Sequence, residues 1–181
     1  MTDTSTYWLV PYRDFATREA TIKSAQDNVA KAFLEQSNGS VPRVREGYWY
    51  DIQLAIGSTS PYNGSNLLTF GTSSNKYGFP AAVALAITVP QSKVFAIYGI
   101  DDYAASPVLQ AMQISQDNVN FPLLYLAPEL YRAPDLTAIL NGSLPAVKQN
   151  LELTITLYAS ATGTDPVDIK FELAENAAKT S

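Results

Sequence analysis

Two late segments alternate apolar and polar residues without a break. Leu151, Leu153, Ile155 and Leu157 stand against Glu152, Thr154 and Thr156, and Val167, Ile169, Phe171 and Leu173 against Asp168, Lys170 and Glu172. A period of two places successive side chains on opposite faces of a pleated strand, so each segment reads as a strand with one buried face. The two are expected to be neighbours joined by a turn near Gly163, with Asp165-Pro166 opening the second strand. Leu153, Ile155, Leu157, Ile169 and Phe171 are expected in the core, with Ile155 and Ile169 on the same face.

The same period begins at Tyr48, where Tyr48, Tyr50, Ile52, Leu54 and Ile56 alternate with Trp49, Asp51, Gln53 and Ala55. Shorter or more buried strands are expected at about 66–70, 81–89, 93–99, 108–115, 121–126 and 136–140. Turn signals separate them: Pro61-Tyr62-Asn63-Gly64, Pro90-Gln91-Ser92, Asp101-Asp102, Asp117-Asn118, Pro134-Asp135 and Asn141-Gly142. Only Thr17 to Gln36 carries a helical period, with Ile22, Ala25, Val29, Ala32 and Phe33 on one stripe and Asn38-Gly39 as its stop. Ile22, Val29 and Phe33 should pack that helix on the outside or one edge of the β structure.

Parallel sheets need helical crossovers, and none is patterned between these strands. The fold class expected is therefore mostly β, an antiparallel β-sandwich or barrel with one N-terminal helix, a jelly roll being the first choice. The chain has 181 residues, enough for one full core. Residues 1–14 read as an N-terminal arm, 15–174 as a single β-sandwich domain including helix 17–36, and 175–181 as a flexible tail.

Composition removes most chemistry. Without histidine, the commonest general base and metal ligand near neutral pH is missing, and without cysteine there are no disulfides, thiolate sites or thiol nucleophiles. No enzyme activity, catalytic residue, cofactor or metal is expected. A carboxylate pair could still act as in glycoside hydrolases, and Asp101-Asp102 is the adjacent pair, but a turn or solvated corner is the favoured reading of it. Calcium would need several oxygen ligands, and Asp101, Asp102, Asp165 and Asp168 are the loop residues able to supply them. Three Asn-Gly-Ser triplets, at Asn38, Asn63 and Asn141, read as tight turns rather than glycosylation acceptors.

Net charge is −5 and the cations are scattered apart from Arg43-Val44-Arg45, which argues against nucleic acid as a direct partner. The polar start lacks the regions of a signal peptide and no apolar run approaches a membrane span, so a soluble protein is expected. Charged residues are only 16% against a typical share of about 25%. A surface of amides and hydroxyls repels like copies weakly and suits a chain packed against neighbours. Candidate interface residues are the aromatics Tyr7, Trp8 and Tyr12 of the arm and Trp49 of the Tyr48-Trp49-Tyr50 run. Trp49 is left open between an exposed face, as interface or sugar platform, and burial under the helix.

The polar arm ending in Tyr7-Trp8, the low charge, the many Asn, Gln, Ser and Thr residues and the segment Leu151-Glu152-Leu153-Thr154-Ile155-Thr156-Leu157-Tyr158-Ala159 resemble virion proteins of bacterial and archaeal viruses. The class is that of single jelly-roll capsid and shell-decorating proteins, and the likeness covers residues 48–174 loosely. It implies a structural virion protein located in the particle, a homo-oligomer or shell component whose partners are copies of itself and other capsid proteins, with the arm contacting a neighbour. The alternative is a carbohydrate- or receptor-binding β-sandwich module, and a carboxylate-based glycoside hydrolase comes third.

Overall fold

The computed structural model describes residues 7–11, 15–49, 66–126, 136–140 and 146–177, with backbone alone at 7–11, 15–18, 126 and 136–140. In chain order the elements are β1 (Tyr7–Pro11), α1 (Phe15–Gln36), β2 (Pro42–Tyr48), β3 (Leu67–Thr72), β4 (Ala81–Thr88) and β5 (Lys93–Asp102). They continue as β6 (Leu109–Gln116), β7 (Val119–Asn120), β8 (Leu124–Leu126), β9 (Leu136–Leu140), β10 (Glu152–Ala159) and β11 (Gly163–Asn176).

The pairing order shows how the chain is wound. β2 pairs with β11, β4 with β10, β5 with β9 and β6 with β8, all antiparallel: first with last and so on inward, as in one long antiparallel ribbon folded at its middle. Rolling that ribbon brings β11 beside β5 and β10 beside β6. The result is two four-stranded layers, β2-β11-β5-β9 and β4-β10-β6-β8, which is the jelly-roll arrangement expected from the sequence. Two short strands bridge the layers. β1 lies between β9 and β8, parallel to the latter, and β3 lies between β4 and β11.

One core fills the space between the layers. Phe95, Ile97, Ile100, Val167, Ile169 and Phe171 meet Leu85, Leu109, Met112, Leu153, Ile155 and Leu157, all buried. The five core residues expected from the late segments are all there. Their strands are not neighbours, however: the edges of β10 are taken by β4 and β6, and those of β11 by β2, β3 and β5. The short link at 160–162 therefore crosses from one layer to the other instead of turning back as a hairpin. Asp165 and Pro166 already lie inside β11, paired with Leu68 and Leu67.

A second apolar layer lies outside β5 and β11, where Ala25, Val29, Ala32 and Phe33 of α1 cover Val94, Ala96, Tyr98 and Ala174. β5 is thus buried on both faces, which is why its sequence runs apolar without alternating. The helix ends as expected: Asn38 and Gly39 take positive φ values of 53° and 91°, and the Gly39 N–H closes on the Leu34 carbonyl at 3.1 Å. At Gly47, opposite Phe171, a Cβ would come within 2.6 Å of the Phe171 ring, so only glycine lets β2 lie this close. Asp117 and Asn118, with φ of 47° and 65°, form the two-residue turn that pairs Gln116 with Val119.

The segment expected to be an arm contacting a neighbour is, over Tyr7–Pro11, an inner strand of the chain's own sheet. Both its edges are paired, which the sequence concealed because β8 and β9 are short and distant. Of the strand expected from Tyr48 to Ile56, the part beyond Trp49 lies outside the described residues, as do the Asn63 and Asn141 turns.

Candidate functional site

Three groups of side chains stand out from the packing. The first begins at a bulge where Lys170 pairs with Gly99 and Phe171 with Ile97, so that Tyr98 is the extra residue. Beyond it Ile100 and Asp102 face the core, while Asp101 faces outward opposite Asp168. Both Asp101 and Asp102 are 1% exposed, so the solvated turn expected for this pair is wrong: β5 continues through it and neighbouring strands cover it. Lys170 makes the burial of Asp101 tolerable, with Nζ 2.6 Å from Oδ2, and the Tyr103 hydroxyl donates to the same oxygen at 3.0 Å. Burial and the Asp101 charge push the Tyr103 hydroxyl up.

Asp102 Oδ1 accepts the Ala104 N–H at 3.0 Å and Asp165 Oδ2 the Val108 N–H at 2.9 Å, so two buried carboxyl groups hold the two ends of segment 103–108. Burial pushes Asp102 up to about 7; the Ala104 N–H opposes the rise and the neighbouring Asp165 reinforces it. Under the helix, Glu172 behaves alike. It is 1% exposed, Gln26 donates to its Oε1 at 3.3 Å, and burial pushes it up to about 7 against that bond, with Glu46 adding to the rise. The Tyr98 hydroxyl donates to Glu46, and burial raises it strongly. Among the described residues no three His, Cys, Asp or Glu side chains come together as a metal site. Asp101, Asp102, Asp165 and Asp168 all gather at the same end of β5 and β11, but on two faces of the sheet.

The second group is the outer face of β4-β10-β6-β8. No described helix lies over it, and its middle is lined by Ala84, Ala86, Thr154, Thr156 and Ser115, exposed or half-buried. At one end the segment 73–80 lays rings against it. Phe79 stacks on Tyr158 at 5.2 Å, Tyr77 meets Tyr158 edge-on at 5.4 Å, and Phe79 lies 6.2 Å from Tyr125. Gln113 donates to the Tyr77 hydroxyl at 2.7 Å and to the Phe121 carbonyl at 3.0 Å, and Asn75 pins the segment through four hydrogen bonds.

The third group is a cleft of about 280 Å³ where the end of α1, the β4–β5 turn, the turn at Gln149 and the end of β11 meet. Its side chains are neutral amides and hydroxyls around Phe33.

Of the interface residues expected from sequence, Trp49 is fully buried in the central core, and its indole N–H has no hydrogen-bond partner among the described residues. The open-platform option for it is thereby corrected: it faces between the layers, and Tyr48 takes the outer side beside Lys170. Tyr7 and Trp8 are strand positions in β1, and Tyr12 lies outside the described residues. Sequence reasoning missed the ring cluster at Tyr77 and Phe79 and the cleft, since both join segments far apart in the chain.

No family model and no curated protein matches the sequence. Solved structures with partial likeness include dimeric latent PorU from Porphyromonas gingivalis, with 11% identity, 74% of this chain and 12% of that one covered, and a TM-score of 0.34. A Paenibacillus sp. cycloisomaltooligosaccharide glucanotransferase in complex with cycloisomaltoheptaose is 16% identical over 60% of this chain and 16% of that one, at a TM-score of 0.27. The CBM36-1 domain of a multidomain xylanase from the hindgut metagenome of Trinervitermes trinervoides is 13% identical over 75% of this chain and 99% of that one, at a TM-score of 0.28. The chain thus spans a small part of the first two, and overlaps this loose carry no argument about what it does.

Proposed function

We propose that this chain is a structural, non-enzymatic jelly-roll subunit of a virion shell, a capsid building block or decorating protein, acting through protein–protein contacts with copies of itself and other shell proteins. The observation that supports this best is the open outer face of β4-β10-β6-β8. It is a broad sheet surface of alanine, threonine and serine with little charge, wound in a fold that serves shells and lectins alike. Interface cores are depleted in charge, and small side chains let another sheet or helix lie close. The buried ionisable groups Glu172 and Asp101 lie on the opposite layer, where α1 reaches Glu172 through Gln26. Light scattering across a concentration series, with immunodetection of the protein in density-purified particles from its source, tests the reading. Multimers together with a particle-bound signal are expected. A strict monomer absent from particles would overturn it.

One observation favours a second reading, a carbohydrate-binding module. The half-buried rings of Tyr77, Phe79 and Tyr125 cluster at the end of that face, where a sugar could stack. A broad glycan array separates the two, because only the second requires hits that Tyr77→Ala removes.

A further inference from the structure

The cleft beside the end of α1 is built of parts that are fixed before any ligand arrives. Gln36 spends both ends of its amide on the backbone: Nε2 donates to the Lys93 carbonyl at 3.3 Å and Oε1 accepts the Gln149 N–H at 3.2 Å. Gln149 in turn accepts the Ser92 N–H at 2.7 Å, holding Ser92 in its left-handed conformation at φ 61°. Ser37 and Ser40 each donate to the other's carbonyl at 3.3 Å. Phe33, fully buried, closes the floor. Walls held this way lose little freedom on binding.

What these walls offer is specific in kind. Apart from Phe33, every lining side chain is an amide or a hydroxyl, and none carries a charge. The charged groups nearby are closed on one another, Lys148 with Glu35 at 2.8 Å and Lys93 and Arg45 with Glu175 at 2.8 and 3.0 Å. Among the described residues a phosphate or carboxylate would find no free cation here. The amides of Gln91 and Asn176 stand at the rim with no partner among the described residues, as does the Gln149 amide nitrogen. An amide presents a donor and an acceptor side by side, matching adjacent hydroxyls that each donate and accept. At about 280 Å³ the space lies just below the range of ligand pockets, roughly 300 to 1,000 Å³, which limits it to a small ligand.

We propose that this cleft is a binding site for one ring of a neutral carbohydrate, recognised by Gln91, Gln149 and Asn176 over the Phe33 floor. It shares no residue with the open sheet face, so it stands or falls separately from the assembly reading.

The test is an NMR titration of the full chain with glucose, galactose, mannose and N-acetylglucosamine, with sialic acid and inorganic phosphate as charged controls. Saturable shifts are expected at Ser92, Gln149 and the Gln91 side chain for at least one neutral sugar and for neither control. Gln91→Leu, an exposed change that touches no internal hydrogen bond, should weaken that binding about three- to tenfold, the worth of one lost hydrogen bond. Gln149→Leu should weaken it further while also loosening the Ser92 turn. The proposal is overturned if no neutral sugar gives saturable shifts there, if a charged control binds instead, or if Gln91→Leu binds as tightly as the parent. Oligomeric mass measured on the same samples reports on assembly independently.

Discussion

Outside β5 and β11 the roll carries Val94, Ala96, Tyr98 and Ala174 under a 22-residue helix, and outside β4 and β10 it carries Ala84, Ala86, Thr154 and Thr156 under no described element. Both layers share one core, so stability of the roll alone does not demand the difference. The covered layer holds two carboxyl groups out of water, Glu172 with Gln26 and Asp101 with Lys170. The open layer has nothing of the kind at its centre. One face is thus finished by the chain itself, and the other is left in a state that a second molecule could complete.

If that contrast is right, the covered side should be where single substitutions cost most. Lys170→Met leaves Asp101 buried without its cation and should destabilise by about 3–5 kcal/mol in reversible urea unfolding. Adding Asp101→Asn should recover much of the loss, because the orphaned charge goes with it. Phe33→Ala, which empties the centre of the helix contact, should cost about 3–5 kcal/mol as well. A loss under about 1 kcal/mol for either single change would mean the helix side is peripheral and would dissolve the contrast.

The helix side and the strands behind its core were the legible part of the sequence. The stripe Ile22, Ala25, Val29, Ala32 and Phe33 gave away a helix that spans Phe15–Gln36, and the alternation at 151–157 and 167–173 marked β10 and β11. What alternation could not reveal was which strand each one meets, because a period of two marks a face and never a partner. β2 was hidden for a different reason. Pro42-Arg43-Val44-Arg45 reads as charge, yet it forms an edge strand whose Arg45 reaches Glu175 on β11. Asp101 and Asp102 misled because aspartates after an apolar run favour turns, and the lysine that permits burial is 69 positions later by the difference of their numbers. The open face was missed, although Ala82, Ala84 and Ala86 alternate with Val83, Leu85 and Ile87 on a strand whose second side is too small to be core.

A smaller effect separates the layers by pH. Asp102 and Glu172 are each pushed up to about 7 by burial, whereas in the unfolded chain they release their protons near pH 4. Between those values the native state holds more protons than the unfolded one, so stability falls as pH rises from about 4 to 7 and levels off above. Asp102→Asn keeps an oxygen for the Ala104 N–H and removes the ionisation. It should flatten part of that slope and gain about 2–4 kcal/mol at pH 8, with little change at pH 4. Glu172→Gln should act the same way at the helix. Chemical denaturation of each variant at pH 4, 6 and 8 measures this, and a slope unchanged by both substitutions would show that the buried carboxyls are not the source.

The smallest expected effect on stability is the one that bears on function. Ala84 is exposed on β4, paired with Thr156 of β10, and its side chain meets solvent rather than core. Ala84→Glu should therefore change unfolding free energy by no more than about 0.5 kcal/mol, as exposed substitutions generally do. If copies or shell partners pack on this face, the same change buries an unpaired carboxylate in the contact and should abolish association, because an unpaired charge is costly to desolvate. An equally exposed substitution remote from the face, Lys23→Glu on α1, serves as the control: it turns an exposed attraction to Asp27 into an exposed repulsion, a change of at most about 1 kcal/mol. Light scattering on parent, Ala84→Glu and Lys23→Glu then reads the face directly. Loss of the multimer in Ala84→Glu alone ties assembly to β4-β10-β6-β8. A multimer that survives Ala84→Glu with its mass intact moves the interface elsewhere and leaves the open face to the ring cluster of Tyr77, Phe79 and Tyr125.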